Sequence, residues 1–366
     1  MTQRAITRYR GFNLLDLFST SNRWDEHFSM THGDFVEDDF RWMQEWGFNF
    51  VRIPMSYLYF IGDTERRTFL ESKLEHLDRL IALGEKYGIH ISLNFHRGAG
   101  YCVTSYPFDT QEPGNLWNRE EDLDLFCTHW EIFAKRFKGV SSERLSFDLL
   151  NEPPFLIDSP SPLMLFPLDS IDIETSTMAT NSERYLRVHK TAVERIHAID
   201  PGRMVIIEGS AYGHSPSWEL KDMPNTMQSM RGYLPIYLSH HGCPRPPSSM
   251  WVKNPTWPFT GTIAGQEATW NKELLHEMLS PWFKFAEAGY TVHMGECGCY
   301  KDAPHDAVLA WFEDMLTMLK EHNIGYSLWN FRGTFGILDS EREDVEYEDW
   351  HGHKLDRKLL TLLQKY

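Results

Sequence analysis

Residues 73–95 read KLEHLDRLIALGEKYGIHISLNF, and this stretch contains a helix signal followed directly by a strand signal. From residue 73 to residue 87 apolar side chains recur every three or four positions, which is the period of an amphipathic helix. Gly88 ends that pattern, as helix carboxyl ends prefer. Residues 89–95 then form a short, nearly continuous apolar run, which is typical of a parallel strand buried on both faces.

The same alternation repeats along the chain. Strand-like runs occupy residues 11–15, 48–53, 89–95, 145–150, 204–207, 227–230, 291–294 and 326–329, and helical periods occupy 38–46, 73–87, 122–137, 183–199, 272–288, 306–322 and 355–366. Eight such strands predict an α/β fold closed into a (β/α)8 TIM barrel. A doubly wound open sheet is the alternative, but its usual Gly-rich phosphate turn is missing from NLLDLFSTSN at residues 13–22.

The length of 366 residues fits one barrel with insertions, so we expect a single domain over residues 1–366. Two connections, 154–181 after the fourth strand and 242–269 after the sixth, are too long for ordinary turns. Both contain large apolar residues as well as Pro, Ser and Thr. Loops of this length in a compact domain are usually functional or disordered, and the apolar content favours ordered rims beside a cleft.

Composition excludes several classes of partner. The net charge is −16 and no dense basic run is present, so nucleic acid is not an expected partner. No apolar run approaches the roughly 20 residues of a membrane helix, so no membrane contact is expected.

The odd number of cysteines, 5, without a repeated spacing favours a reducing compartment. Because residues 1–11 resemble no export signal, we expect a cytoplasmic protein, unless a signal has been removed.

Two glutamates stand out as candidates for chemistry. In barrels of this kind the reacting groups follow the carboxyl ends of the strands. Glu152 follows the fourth strand within Asn151-Glu152-Pro153, and Glu296 follows the seventh, which faces the fourth across the barrel. Paired carboxylates across a cleft are what glycoside hydrolysis requires. The alternative is that both merely cap helices or pair with arginines.

These residues belong to a series that resembles glycoside hydrolase family 5. The series consists of Arg52 in VRIP, His96 in LNFHR, Asn151 and Glu152, Tyr233 after the sixth strand, Glu296, and Trp329 in SLWNF. The resemblance implies a retaining double displacement without cofactor or metal. In it, Glu152 is the acid/base, Glu296 the nucleophile, Arg52 and Tyr233 partners of Glu296, and Trp329 and His96 contacts of the sugar.

One position departs from the family pattern, because Arg231 stands where the family commonly has a histidine two residues before the tyrosine. A permanent cation beside the two glutamates favours ionised carboxylates and therefore opposes a protonated Glu152, unless Arg231 points away or binds a substrate group. A nearby imidazole is available from His240 or His241. Adjacent strand residues point to opposite faces, so we expect at most one of the two to serve.

We therefore expect a retaining β-glycosidase that acts on β-linked, most simply β-1,4-linked, glucosides or mannosides in short oligosaccharides. An open-cleft endo-β-1,4-glucanase and a catalytically inactive carbohydrate-binding barrel are the alternatives. A metal-dependent barrel hydrolase would need more ligands on the first strand than Asn13 and Asp16. The pairs Cys297 and Cys299, and His351 and His353, lack the partners of a zinc site. Trp257 joins Trp329 and Tyr233 as a candidate for a sugar-binding wall.

Overall fold

A computed structural model describes residues 8–17, 35–103, 112–159, 172–244, 252–263 and 265–366. Eight parallel strands close into a barrel in chain order, with the last strand paired to the first. They are β1 (Arg10–Asn13), β2 (Phe50–Ser56), β3 (His90–Arg97), β4 (Leu145–Asp148), β5 (Met204–Glu208), β6 (Thr226–Gly232), β7 (Val292–Cys297) and β8 (Gly325–Leu328). Each predicted strand overlaps an observed one, and the predicted (β/α)8 barrel is confirmed.

Seven helices of two or more turns lie among the described residues, outside the barrel. They are α1 (Glu37–Glu45), α2 (Glu71–Tyr87), α3 (Glu120–Arg136), α4 (Ser182–Ile199), α5 (Lys272–Glu287), α6 (His305–Glu321) and α7 (Arg357–Lys365). α2 buries Leu74, Leu77 and Leu80 and ends at Gly88, whose φ of 67° is readily adopted by glycine. No helix in the described ranges is long and apolar enough to cross a membrane.

The connection between β5 and β6 departs from a regular strand-and-helix unit. All of its residues are described, and it contains only two short helical turns, Ser210–Gly213 and Trp218–Leu220. Ala211 and Tyr212 within the first turn have φ values of 51° and 56°, a left-handed conformation that is uncommon for residues with side chains. This turn lies at the carboxyl end of the barrel, beside the turn that follows β4.

The two long connections are partly described, because residues 160–171, 245–251 and 264 fall outside the described ranges. After β4, Phe155–Leu156 pairs with Ala179–Thr180 as a small parallel sheet. After β6, Phe259–Ile263 pairs antiparallel with Gln266–Trp270, so treating 242–269 as a loop was wrong for that part. The two threonines that alternate with other residues between Phe259 and Ile263, before a turn at Gly265, are the hairpin signal that was missed.

The barrel interior is aromatic at its amino end and charged at its carboxyl end. At the amino end the ring of Phe50 stacks on His90 and lies 4.5 Å from His293, centroid to centroid. At the carboxyl end, buried arginines and carboxylates replace these rings.

Burial lowers the pKa of five histidines to about 4 or about 3, so that they are neutral in the folded chain: His90, His129, His189, His214 and His293.

Candidate active site

All eight side chains predicted for the site meet at the carboxyl end of the barrel. Arg52, His96, Arg231 and Glu296 lie on β2, β3, β6 and β7, while Asn151 and Glu152, Tyr233, and Trp329 directly follow β4, β6 and β8. Six of the eight line one cavity of about 220 Å³: His96, Glu152, Arg231, Tyr233, Glu296 and Trp329. The other two, Arg52 and Asn151, are buried and contact these residues.

Glu152 is presented by a tight turn after β4. Its φ of 48° lies in the left-handed region, and Pro153 follows it. The backbone of the turn is bonded on both sides: the hydroxyl of Tyr101 donates to the Glu152 carbonyl at 2.6 Å, and the Glu152 N–H donates to Oε2 of Glu208 at 2.7 Å. The side chain is 21% exposed, and its Oε1 accepts from Nε of Arg231 at 3.1 Å. Glu152 therefore reaches the cavity from a backbone that its neighbours hold in place.

Glu296 points into the barrel because β7 contains an irregularity. Met294 lies opposite Met230, but the register then shifts so that Glu296, rather than Gly295, lies opposite Arg231. A shift of one residue moves a side chain to the other face of a sheet, so this bulge places Glu296 on the same side as Arg231. Its Oε1 accepts from Nη1 of Arg52 at 2.7 Å, and its Oε2 accepts from the Tyr233 hydroxyl at 3.0 Å.

Arg52 joins acidic residues at the ends of three strands, β4, β5 and β7. Its guanidinium donates to Asp148 at 2.7 Å, to Glu208 at 2.6 Å and to Glu296 at 2.7 Å, and also to the amide oxygens of Asn13 and Asn151. Burial opposes the charge of Arg52, but the three carboxylates outweigh it and raise its pKa. Burial and the nearby charge of Glu208 raise the pKa of Asp148 to about 7. The expected bond from Arg52 to Glu296 is present, within a larger charged network.

Glu208, the last residue of β5, is the main site residue that the sequence analysis did not select. It is completely buried, and both of its carboxylate oxygens contact Nη2 of Arg231, at 2.5 and 2.7 Å. Burial alone would favour the protonated acid, but the guanidiniums of Arg231 and Arg52 reverse this and lower the pKa of Glu208. The signal was available, because Glu208 is the first polar residue after the apolar run at 204–207.

Arg231 points toward the glutamates and is almost completely buried at the cavity. Its side chain is 1% exposed and contacts Glu152, Glu208, Asn151 and, at 3.2 Å, Glu296. The expected cation therefore lies beside Glu152, and Glu208 supplies a buried negative charge against the same guanidinium.

The remaining wall of the cavity contains several residues that strand-end reasoning does not reach. Tyr212 and His214 come from the connection after β5, Tyr300 follows β7, and Phe335 follows β8. Trp329 stacks on His96 with ring centroids 5.7 Å apart. Of the two adjacent histidines, His240 lines the cavity and His241 is not among its lining residues. They follow a short helical turn, Ile236–Ser239, so the strand argument used for them does not apply.

Three other candidates lie apart from this cavity. Trp257 is buried in the core and donates from Nε1 to Asp314 on α6, so it does not belong to the sugar-facing wall. Cys297 and Cys299 are buried, and burial raises the pKa of Cys299 to about 12, which keeps it a neutral thiol. His351 stacks on Trp42, and His353 contacts Asp339 at 2.8 Å. No group of metal-ligating side chains is found within the described ranges.

Comparison with known proteins places this arrangement in a family. The family model described as Cellulase (glycosyl hydrolase family 5) matches residues 10–334. Endoglucanase C of Acetivibrio thermocellus is 26% identical over 88% of this chain and 92% of its own. Cellodextrinase A of Ruminococcus flavefaciens is 22% identical over 79% of this chain and 76% of its own. A crystal structure titled as that of a glycoside hydrolase is 33% identical, with a TM-score of 0.83 over 98% of this chain and 99% of its own. The chain therefore belongs to glycosyl hydrolase family 5 and is a retaining β-glycoside hydrolase.

Proposed function

We propose that this enzyme hydrolyses short β-1,4-linked gluco- or manno-oligosaccharides by double displacement, with Glu296 as nucleophile and Glu152 as acid/base. One observation carries the proposal: the two carboxyl groups line the same cavity but have different surroundings. Glu296 is 5% exposed and receives hydrogen bonds from a guanidinium and a tyrosine hydroxyl. Glu152 is four times more exposed and contacts Arg231 through one oxygen. The guanidinium and the hydroxyl hold the carboxylate of Glu296 in a fixed orientation inside the cavity, as an attacking group requires.

In the first step, the ionised carboxylate of Glu296 bonds to the anomeric carbon as the glycosidic bond breaks. Glu152 gives its proton to the departing oxygen, so the leaving group departs as an alcohol. In the second step, ionised Glu152 takes a proton from water, the water oxygen bonds to the anomeric carbon, and the bond to Glu296 breaks. Two inversions give net retention, and both glutamates return to their starting states.

The size and lining of the cavity support the proposal of a short substrate. Its volume of about 220 Å³ lies below the roughly 300–1,000 Å³ of common ligand pockets, which suits a subsite for few sugar units. Aromatic rings of Tyr212, Tyr300, Trp329 and Phe335 give it an apolar wall of the kind that stacks on sugar faces. The name of the relative cellodextrinase A agrees with short substrates. The name of endoglucanase C supports the second candidate, an endo-acting β-1,4-glucanase.

The two roles are separated by azide rescue of alanine variants on an activated aryl glycoside. In Glu296→Ala, azide takes the place of the missing nucleophile and inverts the substrate once, so an α-glycosyl azide is expected. In Glu152→Ala, the covalent intermediate still forms and azide attacks it, which gives the β-glycosyl azide. Glu313→Gln, on the outer surface of α6, removes an exposed carboxylate and is the matched control, with unchanged turnover expected. The same azide anomer from both alanine variants would refute the assignment.

Substrate class and mode of cleavage are tested on β-1,4-linked hexamers of glucose and of mannose. Early release of monosaccharide or disaccharide from one end is expected. Early products of all lengths would favour the endoglucanase instead. Proton NMR of the first anomer released should show retention of configuration.

A further inference from the structure

The search for a further role leads to Glu208, a carboxylate that cannot itself touch a substrate. It is completely buried at the end of β5 and lies between the two guanidiniums of the site, with Arg52 at 2.6 Å and Arg231 at 2.5 Å. It also accepts the backbone N–H of Glu152 at 2.7 Å. Glu208 therefore contacts the turn that carries Glu152 and also the cation that lies beside the side chain of Glu152.

We propose that Glu208 is a positioning residue, which holds the turn of Glu152 and balances the charge of Arg231 so that Glu152 can keep its proton until the leaving group departs. This inference rests on the proposed function, because it requires Glu152 to be the acid/base. It concerns the chain's own departure from the family pattern at Arg231, which the ordinary roles of the two glutamates do not explain.

The positioning part follows from how the turn after β5 binds the turn after β4. Besides the bond from Glu152 to Glu208, the N–H of Ala211 donates to the Pro154 carbonyl at 3.0 Å, and the N–H of Tyr212 donates to the Pro153 carbonyl at 2.9 Å. Ala211, Tyr212 and Glu152 all have positive φ values. Left-handed residues persist only where their surroundings hold them, and here the two strained turns hold each other.

The electrostatic part follows from the charges that surround Glu152. Its charged and titratable neighbours come from separate elements. They are Arg231 on β6, Glu208 on β5, Tyr101 after β3, Tyr212 after β5 and Tyr233 after β6, and the same cavity is also lined by Glu296, His96, His214 and His240. Burial and nearby carboxylates raise the pKa values of the three tyrosines, which are therefore neutral. Arg231 is the permanent cation in this set, and its charge favours ionised Glu152. Two acids, Glu208 and Glu296, oppose that effect, and Glu208 makes the shorter contacts with Arg231.

The position of Arg231 is specified by the residues that surround it. A side chain at Gly213 would place its Cβ 2.8 Å from Cγ of Arg231. A side chain at Gly295 would place its Cβ 3.0 Å from Nη1 of Arg231 and 2.5 Å from Oγ of Ser229. Both glycines leave the room that the buried guanidinium occupies. The backbone at these two glycines therefore packs closely against Arg231 on two sides.

The experiment compares three variants by the pH dependence of kcat/KM. Glu208→Gln leaves the charge of Arg231 unbalanced, which favours loss of the proton from Glu152. The fall of kcat/KM on the alkaline side of the pH profile, here called the alkaline limb, should therefore move to lower pH by about one unit. The double variant Glu208→Gln/Arg231→Gln removes both charges, so its limb should return close to that of the wild type. Glu208→Asp keeps the charge but withdraws the carboxylate from the Glu152 N–H, so kcat should fall with the limb in place. If Glu208→Gln does not fold, Glu208→Asp tests the positioning role, and a kcat that stays at the wild-type value in that variant would overturn it.

A second readout uses leaving groups of different acidity. A dinitrophenyl glycoside needs no proton from Glu152, whereas a cello- or manno-oligosaccharide does. Glu208→Gln should therefore lose at least about 10-fold more kcat/KM on the oligosaccharide than on the dinitrophenyl glycoside at neutral pH. An equal loss on both substrates, or an alkaline limb that stays in place in Glu208→Gln, would overturn the inference.

Glu152→Gln separates failure of this inference from failure of the proposed function. If Glu152→Gln keeps full activity on the oligosaccharide, the acid/base assignment is wrong and the role of Glu208 fails with it. If Glu152→Gln loses that activity and keeps kcat/KM on the dinitrophenyl glycoside while Glu208→Gln behaves like the wild type, only the inference about Glu208 fails.

Discussion

Replacing Arg52 with lysine tests how much of the site depends on one guanidinium. Arg52 is 1% exposed and makes five hydrogen bonds, three to carboxylates and two to asparagine side chains. Lysine keeps the positive charge but carries three donors on a single atom, which cannot match a planar fork. The substitution Arg52→Lys therefore leaves at least two of the five buried acceptors without their donor.

The expected cost follows from those lost bonds. A hydrogen bond to a charged group contributes about 1.5–3 kcal/mol, so two of them amount to about 3–6 kcal/mol of the free energy of unfolding. The free energy of unfolding of a typical domain is about 5–15 kcal/mol in total. We therefore expect the variant to have a lower melting temperature but to remain folded at the low temperature of the assay. Glu296 also loses the 2.7 Å contact that orients it, and kcat should fall about 100-fold, the equivalent of about 2.7 kcal/mol.

Arg203→Lys is the matched control for this experiment. Arg203 is also fully buried and makes five hydrogen bonds, but it lies before β5, at the opposite end of the barrel. Urea unfolding should show a comparable loss of stability in both variants, whereas turnover of an aryl β-glycoside at low temperature should fall in Arg52→Lys alone. An equal fall of kcat in both folded variants, or full kcat in Arg52→Lys, would refute the reasoning.

Three further predictions concern Glu296, its bulge and the buried histidines. Tyr233→Phe removes a donor to Glu296, so kcat should fall about 10-fold while the melting temperature changes little. Gly295→Ala should cost about 1–3 kcal/mol in urea unfolding and lower kcat, because its Cβ meets Oγ of Ser229, and adding Ser229→Ala should restore part of both losses. Of the five histidines with a lowered pKa, four are buried and His214 is half-buried; all five bind protons mainly when the chain unfolds, so stability should fall as pH drops from about 6.5 to about 4, by up to about 1.4 kcal/mol per histidine and pH unit. The raised pKa of Asp148 offsets one of these protons, and a flat stability profile over that range would contradict the prediction.

The fold and the two glutamates were predictable because they depend on short-range patterns. Apolar runs that alternate with helical periods identify strands and helices without knowledge of their contacts. Once the barrel is assumed, its parallel strands end on one face, and the residues that follow them must meet there. Glu152 and Glu296 satisfy this rule on opposite strands, so their meeting follows from topology.

Residues that depend on irregular backbone were not predictable in the same way. Tyr212 reaches the cavity from a left-handed turn, where no periodic pattern indicates the direction of a side chain. The position of Glu296 at the carboxyl end of β7 follows from topology, but its inward direction depends on a register shift next to Gly295, which strict alternation along β7 does not indicate. In both cases the local conformation is stabilised by contacts with distant parts of the chain, and those contacts are absent from a linear reading.

Arg231 shows why the sign of an electrostatic effect requires every partner to be known. Considered with Glu152 alone, a buried cation opposes protonation of that carboxyl group. With Glu208 bound to the same guanidinium at 2.5 Å, the two charges of this pair sum to zero. On the role proposed for Glu208, removing either member of the pair alone should therefore disturb the site more than removing both.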